Sequence, residues 1–315
     1  MSELSPDAVG RLRDLMAKPE LPDRYRLVEV VGRGGMGVVW RGYDRVLERE
    51  VAIKLLAEHV EGEAWVARME RESRILARLE HPGIVAVHDA GLLPDGRAWY
   101  VMRLVRGDRL DDAAGRFGGV GDALRVMDRL AETVAFAHAE GVVHRDLKPA
   151  NVMLGPFGEV LVLDWGAARG DTSADDRASP ASSALAGDTA HGTVIGTPGY
   201  MAPEQAAGLP ADERSDIYGL GAILRDLLAA LPGAPPKPLA AIRDRALAAD
   251  PAGRYPDVVA LRDDLRRYQD GGPVAAYREG PLEVVARLAR QYRTPILLVS
   301  AYLVMRLAIL WFRRI

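Results

Sequence analysis

Eight residues near the middle of the chain constrain its fold and chemistry more than any other stretch. They run from His144 to Asn151 and read His-Arg-Asp-Leu-Lys-Pro-Ala-Asn. This short loop places an acid at Asp146, a cation at Lys148 and an amide at Asn151. Together these groups can accept a proton from a hydroxyl, neutralise a phosphate oxygen and bind a metal ion. The loop is therefore the first candidate for a functional site.

A glycine-rich turn lies between two predicted strands in the first part of the chain. Glycines let the backbone approach phosphates closely and point its N–H groups at them. Such turns also occur in dinucleotide-binding folds, where the glycines open a helix. Here the strand-like residues 51–54 follow the turn and end in Lys54, which disfavours a dinucleotide fold. The turn consists of Gly32, Arg33, Gly34, Gly35, Met36 and Gly37, followed by Val38 and Val39.

The composition limits the alternatives. A chain of 315 residues with 49% hydrophobic and 27% charged residues fits one globular catalytic unit plus a tail. The net charge of −3 gives no electrostatic argument for nucleic acid, and we expect none as a partner. Without cysteine, the chain has no disulfide framework and no thiolate metal site. Its lysines are Lys18, Lys54, Lys148 and Lys237.

These stretches and two motifs further along resemble the serine/threonine version of eukaryotic-type protein kinases. The loop 144–151 matches the catalytic loop, and the glycine turn with Lys54 matches the phosphate-binding part. Asp164-Trp165-Gly166 resembles the D-F-G motif, and residues 196–204 resemble the substrate-docking loop with its A-P-E motif. The resemblance covers about residues 25–268 in the family's order. The chain is identified as a member of the bacterial eukaryotic-like, or Hanks-type, serine/threonine protein kinases.

The resemblance implies transfer of the γ-phosphoryl group of ATP to serine or threonine hydroxyls of proteins. Asp146 would orient the hydroxyl and accept its proton, and Lys148 would stabilise the transferring group. Asn151 and Asp164 would hold Mg²⁺, with Mn²⁺ as an alternative. The residues expected around ATP are Gly32, Arg33, Gly34, Gly35, Met36, Gly37, Val39, Ala52, Lys54, Glu72, Met102 and Met153.

Lys54 needs an acidic partner from the charged helix predicted over residues 62–80. The family's Arg-Glu-(Ala/Ser) pattern selects Glu72, and Glu70 is the competing acid. The helical period places Leu76 and Leu79 close to the side of Glu72, which favours Glu72 as the inward-facing acid.

The region 170–193 is rich in Asp, Ser, Thr, Ala and Gly and has no periodicity, which predicts a conditionally ordered loop. The resemblance implies an activation segment that the protein phosphorylates itself. Thr189 and Thr193 are the expected phosphosites, with Ser182 and Ser183 behind them. Arg145 is expected to receive the phosphate.

Further residues are expected to hold the site together. Thr197 would hydrogen-bond Asp146 and Lys148. Glu204 would pair with Arg254, and Asp216 would brace the backbone of the catalytic loop.

The predicted fold class is α+β, with the two lobes of a protein kinase. A small β-rich N-lobe is expected over 25–105 and a larger helical C-lobe over 106–270. A helical extension, 1–24, precedes them and a linker, 271–294, follows. The sequence departs from the family in two places. Trp165 replaces the usual Phe, and a helix and insertion are missing after Gly233.

The apolar residues 295–312 predict a C-terminal hydrophobic helix that anchors the protein in the cell membrane as a single span. At about 1.5 Å per residue the segment reaches roughly 27 Å, just enough for a hydrocarbon core. Arg306 lies inside it, so a helix lying on the membrane surface is the alternative. Because ATP is cytoplasmic, the lobes would face the cytoplasm, and a wholly cytoplasmic protein is the second option.

Two other functions compete with the kinase prediction. Trp165 and the shortened C-lobe would suit a membrane-tethered pseudokinase that acts as a scaffold, although every chemically required side chain is present. A small-molecule kinase would share the acid and the metal ligands, but the docking loop 196–204 and Lys148 argue against it. A homodimer is a further option for assembly.

Overall fold

The computed structural model describes residues 19–34, 37–56, 63–165, 169–170 and 199–312. Over these ranges it confirms a β-sheet lobe followed by a helical lobe. Within the described ranges, the elements begin in an antiparallel sheet and end in helices that pack on each other. The predicted helical extension lies largely outside the described residues.

The N-lobe is a five-stranded antiparallel sheet with the order β1-β2-β3-β5-β4. One helix, α1 (Glu63–Arg78), packs on one face of this sheet. The strands alternate between a face towards α1 and a face with its own cluster around Trp40, Ile53 and Val101. The strands are β1 (Tyr25–Arg33), β2 (Gly37–Asp44), β3 (Arg49–Leu56), β4 (Val87–Leu92) and β5 (Ala98–Arg103).

The register of the sheet brings the nucleotide-site residues of three strands side by side. Lys54 on β3 lies opposite Val39 on β2 and Tyr100 on β5. Ala52 lies opposite Met102. Gly37 must be glycine, because a Cβ there would lie 2.2 Å from the carbonyl oxygen of Leu55.

The C-lobe is built around two long helices, α3 (Val120–Ala139) and α5 (Glu213–Ala229). Their inner faces are fully buried, as Leu130 and Leu220 show. Asp212 caps α5 by accepting a hydrogen bond from the backbone N–H of Arg214 at 2.8 Å. The other helices are α2 (Leu110–Ala113), α4 (Pro203–Ala206), α6 (Lys237–Ala246) and α7 (Val258–Gln269).

Short strands deliver the catalytic segments to the cleft between the lobes. The strands β8 (Val152–Leu154) and β9 (Val160–Val162) form a hairpin, and β6 (Asp108–Arg109) pairs with β8. The strands β7 (Val142–Val143) and β10 (Arg169–Gly170) pair with each other. The catalytic loop lies between β7 and β8, so its two ends are fixed by backbone pairing.

The first residues after α7, predicted as the start of a linker over 271–294, pack on the C-lobe. Val274 is buried in the main core. The buried carboxylate of Asp264 accepts hydrogen bonds from the backbone N–H groups of Ala275 and Ala276 at 2.7 and 3.0 Å. The packed C-lobe thus extends beyond residue 270.

Two further helices follow, α8 (Pro281–Gln291) and α9 (Arg293–Phe312). Among the residues that the structure describes, no helix has both the length and the apolar character needed to cross a membrane. The membrane span predicted over 295–312 is therefore not supported, although a helix does form there. Arg306 lies inside this segment, and an arginine near the middle of a span costs about 3 kcal/mol.

Candidate active site

The catalytic loop folds into a compact turn that brings its polar side chains together. After the extended residue Lys148, residues Pro149–Asn151 form one turn of 3₁₀ helix. The Asn151 side-chain amide donates to the backbone oxygen of Asp146 at 2.8 Å and to its Oδ2 at 3.2 Å. Lys148 Nζ donates to the same Oδ2 at 2.8 Å. The acid, the cation and the amide of this loop therefore meet at one carboxylate.

Asp216, at the start of α5, holds the backbone of this loop through hydrogen bonds. The buried Asp216 carboxylate accepts from the N–H groups of His144 and Arg145 at 2.8 and 2.7 Å. Arg145 has φ +71°, a left-handed conformation that is costly for a residue with a side chain. The hydrogen bonds to Asp216 stabilise this conformation. The side chain of Gln205 adds a bond of 2.8 Å to the Arg145 carbonyl.

The side chain of His138, on α3, contacts the same carboxylate. Its Nε2 lies 2.8 Å from Asp216 Oδ2. His144 has a different task, because its ring links the two catalytic segments. Its Nδ1 accepts from the N–H of Asp146 at 3.2 Å, and its Nε2 donates to the carbonyl of Leu163 at 3.0 Å.

On the N-lobe side, Lys54 and Glu72 form an ion pair. Lys54 Nζ lies 2.7 Å from Glu72 Oε1 and 3.0 Å from Oε2. Glu72 is 1% exposed, on the face of α1 that also carries Met69 and Leu76. The competing acid, Glu70, lies on the outer side and pairs with Arg74 at 3.0 Å. Glu72 is thus the acid that the structure pairs with Lys54.

Lys54 also reaches across the cleft to Asp164, whose Oδ1 lies 3.4 Å from Nζ. Burial disfavours the charged form of Lys54, but the two nearby carboxylates raise its pKa above the usual value. Burial likewise works against the charge of Asp164, and Lys54 nevertheless holds the pKa of Asp164 below its usual value. Both groups therefore stay charged at neutral pH.

Asp164 is held in a strained conformation next to a buried indole. Its φ of +59° lies in the left-handed region. The side chain of Trp165 is 1% exposed, and its Nε1 donates to the carbonyl of Val162 at 3.3 Å. Its ring lies 4.7 Å from the ring of His144. Trp165 therefore fills the position of the family's aromatic residue and adds a hydrogen bond.

The expected ATP-binding residues that the structure describes lie on or beside β1, β2, β3, α1, β5 and β8. Gly34 and Gly37 close the glycine turn through mutual backbone bonds of 2.9 and 3.3 Å. Gly32 pairs with Val39 across the turn, and Arg33 ends β1. Ala52 is buried, whereas Met102 and Met153 are partly exposed from opposite lobes. Gly35 and Met36 lie outside the described residues.

The end of the segment after Asp164 is fixed by Glu204. Its two carboxylate oxygens each lie 2.7 Å from a guanidinium nitrogen of Arg254. The phosphosite predictions Thr189, Thr193, Ser182 and Ser183 lie outside the described residues, as do Thr197 and Gly166.

The donor set fits a hard divalent cation such as Mg²⁺. Asn151 and Asp164 offer an amide and a carboxylate oxygen, and the backbone bond of 2.8 Å from Leu163 N to Asn151 O keeps them in adjacent segments. In the described part of the chain, no group of three or more His, Cys, Asp or Glu residues could hold a metal by itself. A hard divalent cation can be held by one or two protein ligands together with waters and substrate phosphates.

Two residues of the site were missed by sequence reasoning. Gln205 supports Arg145, and Tyr100 donates to Glu72 at 2.8 Å. Alternation along β5 could have placed Tyr100 on the inner face of the sheet, but not its hydroxyl against Glu72. For Gln205, no signal in the sequence pointed to the contact.

The sheet lobe, the helical lobe and the charged cleft between them define a class of protein, a two-lobed phosphotransferase. The comparisons with known proteins go further. A model of the protein kinase domain matches residues 25–242. The chain belongs to the protein kinase family.

The serine/threonine-protein kinase PknD of Chlamydia caviae is 35% identical over 294 residues, which is 79% of this chain and 32% of the relative. PknD of Chlamydia trachomatis serovar D is 34% identical over 300 residues, with the same two shares, 79% and 32%. The chain therefore spans about a third of the curated relatives that it matches. The crystal structure of the Mycobacterium tuberculosis PknI kinase domain matches with a TM-score of 0.58 and 28% identity. This match covers 80% of this chain and 98% of the PknI domain.

Proposed function

We propose that this protein transfers the γ-phosphoryl group of ATP to serine and threonine hydroxyls of proteins. One observation carries the proposal. Lys54, paired with Glu72 at 2.7 Å, faces Asp164 across the cleft at 3.4 Å. In this arrangement the ammonium group of Lys54 can neutralise the charge of the ATP phosphates. Asp164, on the other side of the cleft, can bind the metal ion that accompanies ATP.

Each charged residue has one task in the reaction. Asp146 orients the acceptor hydroxyl and takes its proton. Lys148, 2.8 Å from Asp146, neutralises the charge of the phosphoryl group in the transition state of the transfer. Lys54 holds the α- and β-phosphates under the glycine turn. Little covalent chemistry is required of the protein, so positioning and charge neutralisation carry the rate.

Asn151 and Asp164 are the residues that would hold the metal, with Mg²⁺ preferred and Mn²⁺ as the substitute. The bound cation supplies charge neutralisation at the phosphate oxygens. Asp164 contributes full negative charge to this site, because Lys54 keeps its pKa low.

The acceptor is proposed to be a protein because of the docking segment. In its described part, Tyr200 donates to Asp226 of α5, and Arg225 donates to the Gly199 carbonyl at 3.2 Å. These contacts fix the described end of this segment to α5. A small-molecule kinase has no need of a segment that docks proteins.

We further propose autophosphorylation at Thr189 or Thr193, with Arg145 as the receiving cation. A homodimer would allow one copy to modify the other. The dependence on ATP supports a cytoplasmic location of the two lobes.

Incubation of the purified chain with Mg-ATP and a generic protein acceptor tests the proposed function. We expect phosphoserine or phosphothreonine in the acceptor and in residues 171–197, which mass spectrometry would locate. Absence of transfer, with Asp146→Asn indistinguishable from the parent chain, would favour a non-catalytic scaffold instead. Phosphorylation of metabolites but never of protein would favour the small-molecule alternative.

A further inference from the structure

Tyr100 lies directly beside the ion pair that grips the nucleotide, although no motif assigns it a role. It occupies the middle of β5, opposite Lys54 in the sheet register. Its side chain is buried, with only 2% exposed. Its hydroxyl donates to Glu72 Oε1 at 2.8 Å.

Glu72 is therefore held by two donors from two strands. Lys54 on β3 contacts both carboxylate oxygens, whereas Tyr100 on β5 contacts Oε1 alone. The ring of Tyr100 also lies under the lysine, with Nζ 5.6 Å from the ring centroid. This ring limits the positions that the ammonium group can take.

The two donors differ in what happens when nucleotide binds. Lys54 must share its three N–H donors between Glu72 and the phosphates. Tyr100 has one hydroxyl proton and no phosphate to approach, so its bond to Glu72 persists. Glu72 then stays in place while the lysine turns towards the nucleotide.

We propose that Tyr100 is a positioning residue for phosphoryl transfer, acting through Glu72 to fix the ammonium group of Lys54. This inference rests on the proposed kinase function. The hydroxyl remains a donor at all working pH values, because burial and the neighbouring carboxylate raise the pKa of Tyr100 well above its usual value.

A purely structural role is the competing explanation, and the chain offers a matched control for it. Tyr25 is 5% exposed in the same sheet, and its hydroxyl donates to the carboxylate of Asp89 at 2.7 Å. Asp89 lies on β4, and neither residue contacts the ion pair. Tyr25→Phe and Tyr100→Phe thus delete the same kind of hydrogen bond, but only the second touches the site.

The experiment measures single-turnover transfer rates of the full chain and of both variants, normalised to the concentration of ADP-binding protein. For Tyr100→Phe we expect a rate about tenfold lower, since a hydrogen bond to a charged group is lost. The ADP dissociation constant should stay within about twofold, because the adenine contacts are untouched and Lys54 keeps its charge and its bonds to Glu72. Tyr25→Phe should keep the parent rate, and both variants should show similar thermal unfolding.

A second readout separates positioning from general damage. In a Glu72→Ala background, Tyr100→Phe should have no further effect on the rate, because the residue through which it acts is gone. Equal rates for Tyr100→Phe and Tyr25→Phe would overturn the inference, as would an undiminished effect in the Glu72→Ala background. An inactive parent chain would instead refute the proposed function, so the two failures are distinguishable.

Discussion

Glu204 and Arg254 lie 50 positions apart in the chain, yet two hydrogen bonds of 2.7 Å join their side chains. The Arg254 side chain is completely buried and the Glu204 side chain is 10% exposed. Ser215 adds a third bond to the carboxylate at 2.7 Å. The pair therefore ties the end of the docking segment to the turn before α7.

Replacement of Glu204 by Gln should destabilise the protein by about 3 kcal/mol at pH 7, because a buried guanidinium is left without its counter-charge. Although burial opposes the charged carboxyl, Arg254 and Ser215 lower the pKa of Glu204 from 4.5 to about 2. The unfolded chain thus binds more protons between these values, so this stabilisation is complete above pH 4.5 and is lost as the pH falls through 2.

Denaturant unfolding of the parent chain and Glu204→Gln at several pH values would check this prediction. The difference in the free energy of unfolding should begin to shrink below about pH 5. Glu132→Gln is a matched control, because Glu132 pairs with Arg262 at 2.7 Å but is 33% exposed. It should cost less than about 1 kcal/mol. Equal losses for the two variants would contradict the role of burial.

Asp146→Asn should reduce phosphoryl transfer by about a thousandfold, because the amide cannot accept the hydroxyl proton. Nucleotide binding should change little, since Lys54 and Glu72 are untouched. Initial transfer rates and the dissociation constant of ADP measure the two effects separately. Asp263→Asn, at an exposed position of α7, should match the parent chain in both. A weakening of ADP binding that parallels the loss of rate would contradict this assignment.

Asp164→Asn should raise the Mg²⁺ concentration for half-maximal activity by about tenfold or more, because the site loses its carboxylate charge. A titration of rate against Mg²⁺ at saturating ATP measures this. Removal of the cation with a chelator should abolish transfer in the parent chain. An unchanged Mg²⁺ requirement in the variant would show that Asp164 is not a metal ligand.

Trp165→Phe should lower the free energy of unfolding by about 1 kcal/mol more than loss of ring volume alone, because the bond to Val162 disappears. Activity should remain within roughly threefold, since an aromatic ring still faces His144. Trp99→Phe provides the volume control, because the buried Trp99 Nε1 has no hydrogen-bond partner among the described residues. Equal losses of unfolding free energy in the two variants would show that the hydrogen bond from Trp165 to Val162 does not stabilise the fold.

Much of this site could be predicted because its charged and polar residues lie in short motifs of consecutive residues. The choice of Glu72 over Glu70 rested on the family's Arg-Glu-(Ala/Ser) pattern with support from the helical period, and the structure buries Glu72 and leaves Glu70 partly exposed. The fold class followed from the resemblance of these motifs, in their order along the chain, to the protein kinase family. These features are short-range, so the sequence displays them directly.

Contacts between distant segments could not be predicted in the same way. The bond from Tyr100 to Glu72 depends on the register of β5 against β3 and on the depth of α1 over the sheet. The contact from Gln205 to Arg145 spans 60 positions. The segment predicted to span a membrane shows the converse problem. Its apolar composition correctly predicted a helix, but the predicted crossing of a membrane by that helix is not supported.

The two halves of the site lie in different lobes. Lys54 and Glu72 lie on the sheet and its helix α1, whereas Asp146, Asn151 and Asp164 lie in the helical lobe. A backbone hydrogen bond of 2.8 Å from Val162 N to Gly83 O joins the two lobes. The distance between Lys54 Nζ and Asp164 Oδ1 therefore depends on how far the cleft between the lobes is open. A ligand that holds the two lobes apart should therefore stop the proposed phosphoryl transfer. It would separate the two halves of the site and leave the contacts within each half intact.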